Sequence, residues 1–242
     1  MTGVLAIETA TDACSVAILR AGVYSERHTV APRQHSRLLF TMLDEVLSGG
    51  SLADNDIELI AYGCGPGSFT GLRIAASAVQ GLAYSCNLPV VAVSTLAVMA
   101  QTALRQGVVT VADVALCTLD ARINEVYSAV FVFENDRAVL IDGPWACAPG
   151  QLAPAGSEPL CVVGSGGHFR ELYMPALQTR IQKVIPDLLP EARDIIPLSV
   201  DKYRRGEILA PRDVQPVYVR DEISWKKLAD QGRQLEKRMT TV

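Results

Sequence analysis

The chain has 242 residues, of which 49% are hydrophobic and 20% are charged, a composition typical of a globular protein with a sizeable core. Its net charge of −4 argues against a protein that holds nucleic acid mainly through its own phosphate contacts. No apolar run approaches the roughly 18 residues of a membrane span, and the first residues lack the basic region of a secretory signal.

Cysteine and histidine usage favours a cytoplasmic protein without a metal. None of the six cysteines forms a CxxC pair, and most lie in apolar segments, as buried free thiols do in a reducing compartment. The three histidines show no HxxxH or HExxH spacing. We therefore expect no catalytic metal, no cofactor and no membrane partner.

Strands and helices alternate in the first half. Apolar alternation and turn residues predict the strands, and apolar residues at helical spacing predict the helices. In chain order, three strands, a helix, a strand, a helix, a strand and a helix are predicted over residues 4–8, 14–20, 22–30, 36–47, 59–62, 68–84, 89–93 and 95–105.

The same pattern begins again near residue 114. Strands are predicted over 114–119, 125–133 and 138–141, with an acid-containing turn at 120–124. Two hairpin-plus-helix halves are typical of an α/β protein with the actin/Hsp70-like (ASKHA) fold. Prolines divide residues 144–216 into short pieces, so the second half is expected to be abbreviated.

These patterns predict three regions. Residues 1–105 form an N-terminal ASKHA subdomain, residues 106–220 a C-terminal one, and residues 221–242 a polar tail. The tail carries several lysines and arginines, which is consistent either with a solvated segment or with one that contacts RNA.

The most informative motif is the GPGSFTGLRI run at residues 65–74, between a predicted strand and a predicted helix. It is neither a Walker loop nor a GxGxxG fingerprint. Its glycines would allow the backbone to approach an anion or a second chain segment closely. We expect this turn to hold the start of a packing helix rather than to wrap a phosphate.

Two carboxylates end corresponding strands of the two halves. Actin-like ATPases use an aspartate at the place of Glu8 to organise Mg²⁺ and water, but the usual Gly-Thr-Thr motif is absent from the sequence around Glu8. Asp120 could do acid–base work or cap its own turn. The glycine-rich residues 164–167 read as a strand-ending loop, with phosphate or RNA docking as the alternative.

Several motifs, taken in order, resemble the TsaB (YeaZ) family. They are LAIETAT at residues 5–11, His35-Ser36, the run at 65–74, DAR with EVY near residue 120, and PVYVR at 216–220. The residues that carry this resemblance are Glu8, His35, Ser36, Gly65, Gly67, Ser68, Thr70, Gly71, Arg73, Asp120, Arg122, Tyr218 and Arg220.

The resemblance implies a non-catalytic subunit required to make N6-threonylcarbamoyladenosine (t6A) at adenosine 37 of ANN-decoding tRNAs. Its implied partners are TsaD, the catalytic subunit, as a heterodimer, and TsaE, with tRNA reached through the complex. TsaD carries a metal-binding HxxxH where this chain has Thr95 and Met99. The alternatives are an independent ASKHA-type ATPase or kinase and, more distantly, a glycoprotease-like metallopeptidase.

The resemblance also implies a partner surface on the two N-terminal helices, 36–47 and 68–84. Both have more apolar positions than one core-facing stripe needs, unless elements of the same chain cover both faces. The same surface could form a homodimer in isolation. The candidate interface residues are Leu39, Phe40, Leu43, Leu72, Ala75, Val79 and Leu82.

Overall fold

Two five-stranded mixed sheets form the frame of the protein, and the computed structural model describes residues 3–219. The first half contains β1 Gly3–Glu8, β2 Ala13–Arg20, β3 Val23–Val30, α1 His35–Val46, β4 Ile57–Gly65, α2 Phe69–Cys86, β5 Val90–Ser94 and α3 Thr95–Arg105. The second contains β6 Val114–Arg122, β7 Glu125–Glu134, β8 Arg137–Cys147, β9 Leu160–Val163, α4 Pro175–Gln178, β10 Ile181–Ile185 and α5 Ala192–Arg204.

The two sheets have the same topology. Their strand orders are β3-β2-β1-β4-β5 and β8-β7-β6-β9-β10, so each strand of the first half has a counterpart in the second. In both sheets the first three strands form an antiparallel meander, and the last two join it in parallel. This duplication confirms the predicted α/β actin-like fold with two related halves.

Helices α3 and α5 lie between the sheets, and each follows the last strand of its own half. Val98 of α3 and Ile195 of α5 pack against the first sheet. Leu96 and Met99 of α3 pack against the second sheet, because α3 is apolar on more than one side. The middle layer therefore joins the two halves, because α3 contributes to the core of each sheet.

The outer faces of the two sheets are covered differently. On the first sheet, α1 and α2 bury Leu39, Leu43 and Val79 against strand residues such as Ile7 and Ile60. The second sheet is covered by short 3₁₀ segments and the one-turn α4, which contribute Leu152, Tyr173 and Leu177. The second half is thus abbreviated, as predicted, because short segments take the place of the two long outer helices of the first half.

Some boundaries differ from those predicted. Strand β6 continues to Arg122, so the turn narrows to residues 123–124, and left-handed backbone angles allow this tight reversal. Helix α5 was missed, since Pro197 lies inside it. No helix among residues 3–219 is long and apolar enough to cross a membrane. The division after residue 105 remains a prediction, and residues 220–242 lie outside the described part.

Candidate functional site

Residues 65–71, which run from the end of β4 through a short loop into the first turn of α2, pack on the turn between β1 and β2, residues 9–12. These segments are named here the glycine turn and the hairpin turn. The backbone N–H of Ser68 donates to the carbonyl of Ala10 at 2.7 Å, and the Ser68 hydroxyl accepts from the N–H of Gly71 at 3.3 Å. Two N–H groups at the start of α2 are therefore engaged within the chain.

Two glycines of the glycine turn sit where no side chain fits. A Cβ atom on Gly67 would lie 2.4 Å from the carbonyl oxygen of Ala10, and one on Gly71 would lie 2.0 Å from that of Thr9. The Thr9 hydroxyl donates to the Gly71 carbonyl at 2.8 Å. Close backbone approach, for which glycine is required, thus fixes the helix start on the hairpin turn. This geometry supports the interpretation of the motif as a packing turn.

Glu8 lies beneath the hairpin turn and is completely buried. Burial raises the pKa of its carboxyl to about 7, although the N–H groups of Ala10 and Thr9 and the Thr95 hydroxyl act in the opposite direction. A Cβ atom on Gly63 would lie 1.9 Å from Oε2, so the glycine makes room for the carboxyl. This carboxyl is enclosed by protein and does not face an open phosphate site.

His35 and Ser36 begin helix α1. His35 is buried, and its Nε2 donates to the carbonyl of Ala13 at 3.1 Å, which ties the start of α1 to the start of β2. Ser36 is exposed. His35 therefore ties α1 to the hairpin next to the hairpin turn.

Residues from two distant motifs form an exposed cluster, named here the aromatic platform: Phe69, Arg73 and Tyr218. The Arg73 guanidinium lies 4.0 Å from the centre of the Phe69 ring, and its Nε donates to the Tyr218 hydroxyl at 3.3 Å. The two rings are 5.6 Å apart, and Phe69 and Tyr218 are 50% and 47% exposed. Thr70 is exposed beside them. Arg220 lies outside the described residues.

In the second half, Asp120 takes the place that Glu8 has in the first. Its carboxylate accepts from the N–H of Arg122 at 2.8 Å and from the Arg122 guanidinium at 3.2 Å. The backbone N–H of Asp120 donates to the Ser165 hydroxyl at 3.0 Å. All these partners lie in the same half, so Asp120 caps its own turn, while Gly65, Ser68 and Glu8 gather in the first half.

Most of the candidate interface residues on α1 and α2 face the core of their own chain. Phe40 is 58% exposed and Leu82 is half-buried, whereas the other five are buried: Leu39, Leu43, Leu72, Ala75 and Val79. The outer face of the two helices also presents Tyr84, which is 80% exposed, and the half-buried Leu38 and Ile74. The exposed and half-buried residues of this face are named here the helix face: Leu38, Phe40, Ile74, Leu82 and Tyr84. Phe40 and Leu82 were predicted, and the other three were missed because spacing alone does not separate two apolar sides of one helix.

Thr95 and Met99 begin and continue helix α3 between the sheets. Both side chains are completely buried, and Met99 belongs to the core that α3 forms with the second sheet. A threonine hydroxyl and a methionine thioether offer a divalent transition metal far weaker ligands than two imidazoles. Within residues 3–219, no group of three or more metal-ligating side chains is found.

Comparison with known proteins agrees with this geometry. The family model for "TsaD: tRNA N6-adenosine threonylcarbamoyltransferase" matches residues 22–155, more than half of the chain. The "tRNA threonylcarbamoyladenosine biosynthesis protein TsaB" of Escherichia coli (strain K12) is 34% identical over 93% of this chain and 97% of its own length. The TsaB of Haemophilus influenzae (strain ATCC 51907 / DSM 11121 / KW20 / Rd) is 32% identical over 93% and 96%.

A solved structure shows the same fold. "YeaZ from Pseudomonas aeruginosa" has a TM-score of 0.82 and 34% sequence identity, and the match covers 90% of this chain and 100% of that one. The duplicated sheets and the glycine turn define a protein of the TsaD-related, actin-like class. Within that class, the chain belongs to the TsaB family, whose members it matches over nearly their whole length.

Proposed function

We propose that this chain is the non-catalytic partner of a TsaD-type threonylcarbamoyltransferase in t6A formation at adenosine 37 of ANN-decoding tRNAs. The observation that carries the proposal is the match to TsaB proteins along nearly the whole chain. Since the substrate is tRNA, reached through the complex, the chain works in the cytoplasm. TsaE is the further protein partner.

Two places in the fold support a role without catalysis. Thr95 and Met99 occupy the positions at which the TsaD resemblance expects metal-binding histidines, and both are enclosed by the core. Glu8 is buried, with a pKa raised to about 7, so its carboxyl is poorly suited to organise a hydrated Mg²⁺ ion. These features support a partner subunit over an independent ATPase or a metallopeptidase.

The helix face is the proposed surface for TsaD. The exposed aromatic residues Phe40 and Tyr84 offer apolar anchors, and the α2 stripe between Ile74 and Tyr84 contains the small residues Ser77 and Gly81. Small residues between bulky ones allow a partner helix to approach closely, and aromatic anchors carry much of the energy of such contacts. In the absence of TsaD the same face would pair two copies of this chain.

Reconstitution tests the function directly. TsaD, TsaE and the threonylcarbamoyl-adenylate synthase are combined with an ANN-decoding tRNA, with and without this chain, and t6A is measured by mass spectrometry of the digested tRNA. We expect t6A only when the chain is present. Equal t6A without it, or ATP hydrolysis by the purified chain alone at a catalytic rate, would overturn the proposal.

Charge substitution tests the partner surface. Phe40→Glu with Tyr84→Glu should leave the chain folded, because both side chains are exposed, and weaken TsaD binding by roughly two orders of magnitude. Leu172→Glu is the matched control, since Leu172 is exposed on the 3₁₀ segment that covers the second sheet. If titration calorimetry gives TsaD the same affinity for the double variant and the control, the interface lies elsewhere.

A further inference from the structure

The turn between β6 and β7 holds an isoleucine in a backbone conformation that disfavours it. Three successive residues, Arg122, Ile123 and Asn124, have φ of 64°, 54° and 59°, and this segment is named here the isoleucine tip. A branched Cβ crowds the backbone in this left-handed region. Ile123 is nonetheless 78% exposed, so burial within its own chain does not offset that cost.

Two other hairpins of the chain make the same reversal with more suitable residues. Ala21-Gly22 joins β2 to β3 with φ of 48° and 83°, and Asn135-Asp136 joins β7 to β8 with φ of 50° and 60°. Two-residue loops of this kind favour asparagine, aspartate and glycine, which tolerate positive φ. Neither loop contains a β-branched residue, so Ile123-Asn124 is the exception among the three.

The corresponding turn of the first half is covered by its own chain. There the glycine turn packs on the hairpin turn, and Thr9 and Ala10 are buried. In the second half, the segment after β9 reaches the base of the isoleucine tip, where the Ser165 hydroxyl accepts from the backbone N–H of Asp120 at 3.0 Å. Ile123, at the tip itself, stays exposed. The duplicated fold therefore leaves an apolar side chain uncovered in the second half.

The charges beside the isoleucine are balanced within the chain. The Arg122 guanidinium lies 3.2 Å from the carboxylate of Asp120. Binding to phosphates depends on cations that neutralise them, and unstacked RNA bases are held largely by aromatic and cationic side chains. An exposed aliphatic side chain beside a paired cation is better suited to an apolar pocket on a protein.

We propose that the isoleucine tip inserts Ile123 into an apolar pocket of a protein partner in the t6A complex. The inference rests on the proposed function, which supplies the partners. One isoleucine is a small part of the roughly 800 Å² that each protein buries in a stable interface, so the tip adds to a contact that other surfaces hold. Burying the side chain in the partner then offsets the cost of its backbone conformation.

Reciprocal substitutions test the conformational part of the inference. Ile123 and Asn135 are both exposed, and each is the first residue of its two-residue loop. Asparagine adopts the left-handed conformation readily. Ile123→Asn should therefore lower the unfolding equilibrium constant of the purified chain by roughly fivefold, and Asn135→Ile should raise it by about the same factor. Urea unfolding measures both.

Titration calorimetry with TsaD, and with TsaD and TsaE together, tests the contact. We expect Ile123→Asn to weaken at least one of these associations by roughly tenfold, although this variant is the more stable protein. Ile123→Val keeps a branched apolar side chain and loses one methylene, so its affinity should stay within about fourfold of the wild type. Asn135→Ile is the matched control, and it should bind as the wild type does.

Several results would overturn the inference. Unchanged affinity of Ile123→Asn for both preparations would show that no protein partner receives the side chain. If only the binding of tRNA to the assembled complex were weakened, the occupant would be RNA. A wild-type dimer in light scattering that Ile123→Asn abolishes, with partner affinities unchanged, would make a second copy the occupant.

The stability measurement and the wild-type titration separate the two proposals. If Ile123→Asn is no more stable than the wild type, the conformational cost is absent and the inference fails alone. If the wild-type chain forms no complex with TsaD, with or without TsaE, the proposed function fails and the inference fails with it.

Discussion

The two halves of the protein share one strand order but are covered differently on their outer faces. The first half carries two long helices, α1 and α2, where the second has 3₁₀ segments and the one-turn α4. Both outer layers bury an apolar sheet face. The long helices of the first half also have an exposed side, and this is the surface that we propose for a partner.

The carboxylates at the ends of β1 and β6 show a second difference. Glu8 is completely buried with a raised pKa, whereas Asp120 is partly exposed and bonded to Arg122. Gly65, the last residue of β4, and Gly164, the residue after β9, both have positive φ angles, of 117° and 95°. The backbone at this strand end is thus similar in the two halves, which differ in whether the carboxylate of the neighbouring strand is buried.

Disrupting the glycine turn is expected to have the largest effect on stability. Gly71→Ala places a Cβ atom 2.0 Å from the Thr9 carbonyl oxygen, so the start of α2 must shift, at a cost of about 3 kcal/mol of unfolding free energy. Gly81→Ala, in the same helix and facing open space, should instead stabilise by roughly 0.5–1 kcal/mol. Urea unfolding of both variants measures the difference. Equal effects would show that the turn is not held by close backbone contact.

The second prediction uses pH to separate the two carboxylates. The unfolded chain releases the Glu8 proton near pH 4.5 and the folded chain near 7, so between these values the folded chain binds more protons and its stability falls as the pH rises. The expected loss is roughly 3 kcal/mol, present above about pH 7 and absent below about 4.5.

Two matched variants check this prediction. Glu8→Gln should abolish the fall in unfolding free energy between pH 5 and pH 8, because the amide does not ionise. Asp120→Asn should keep it, because Asp120 is partly exposed and lies in the other half. A fall of the same size in the Glu8→Gln variant would assign the pH dependence to other groups.

The smallest expected effects on stability come from substituting two serines at corresponding turns of the two halves. Ser68→Ala removes the hydroxyl that accepts from Gly71 at the start of the long helix α2, and should cost about 1 kcal/mol. Ser165→Ala removes the acceptor for the Asp120 N–H, which is only partly buried, and should cost about 0.5 kcal/mol. A larger loss for Ser165→Ala would mean that the second turn depends on its cap more than the first.

Local patterns were enough to predict most of the frame. Alternating and helical apolar spacing located every strand and helix of the first half to within a few residues, and the hairpin near residue 114 revealed the duplication. Strand β10 and helix α5 were missed, because Pro186, Pro190 and Pro197 masked a helix that is stabilised by packing against the first sheet.

The candidate site was predicted only in its local parts. The glycine turn was found because its glycines and Ser68 stand next to one another in the sequence. The aromatic platform was not found, since Phe69 and Tyr218 are far apart in the chain and meet only through the fold. The sequence did not show that Leu39 and Val79 are buried, because apolar spacing gives no information on what covers each side of a helix.

The middle layer has a mechanical consequence. Asp194 of α5 is buried and bonded to Thr102 at 2.8 Å and to Arg105 at 2.8 Å, both on α3. Separating α5 from α3 would strip a buried carboxylate of its partners, which costs about 3 kcal/mol or more. Because α5 packs against the first sheet, the last helix of the second half is anchored on the first half, and the two halves are linked there as well as through α3.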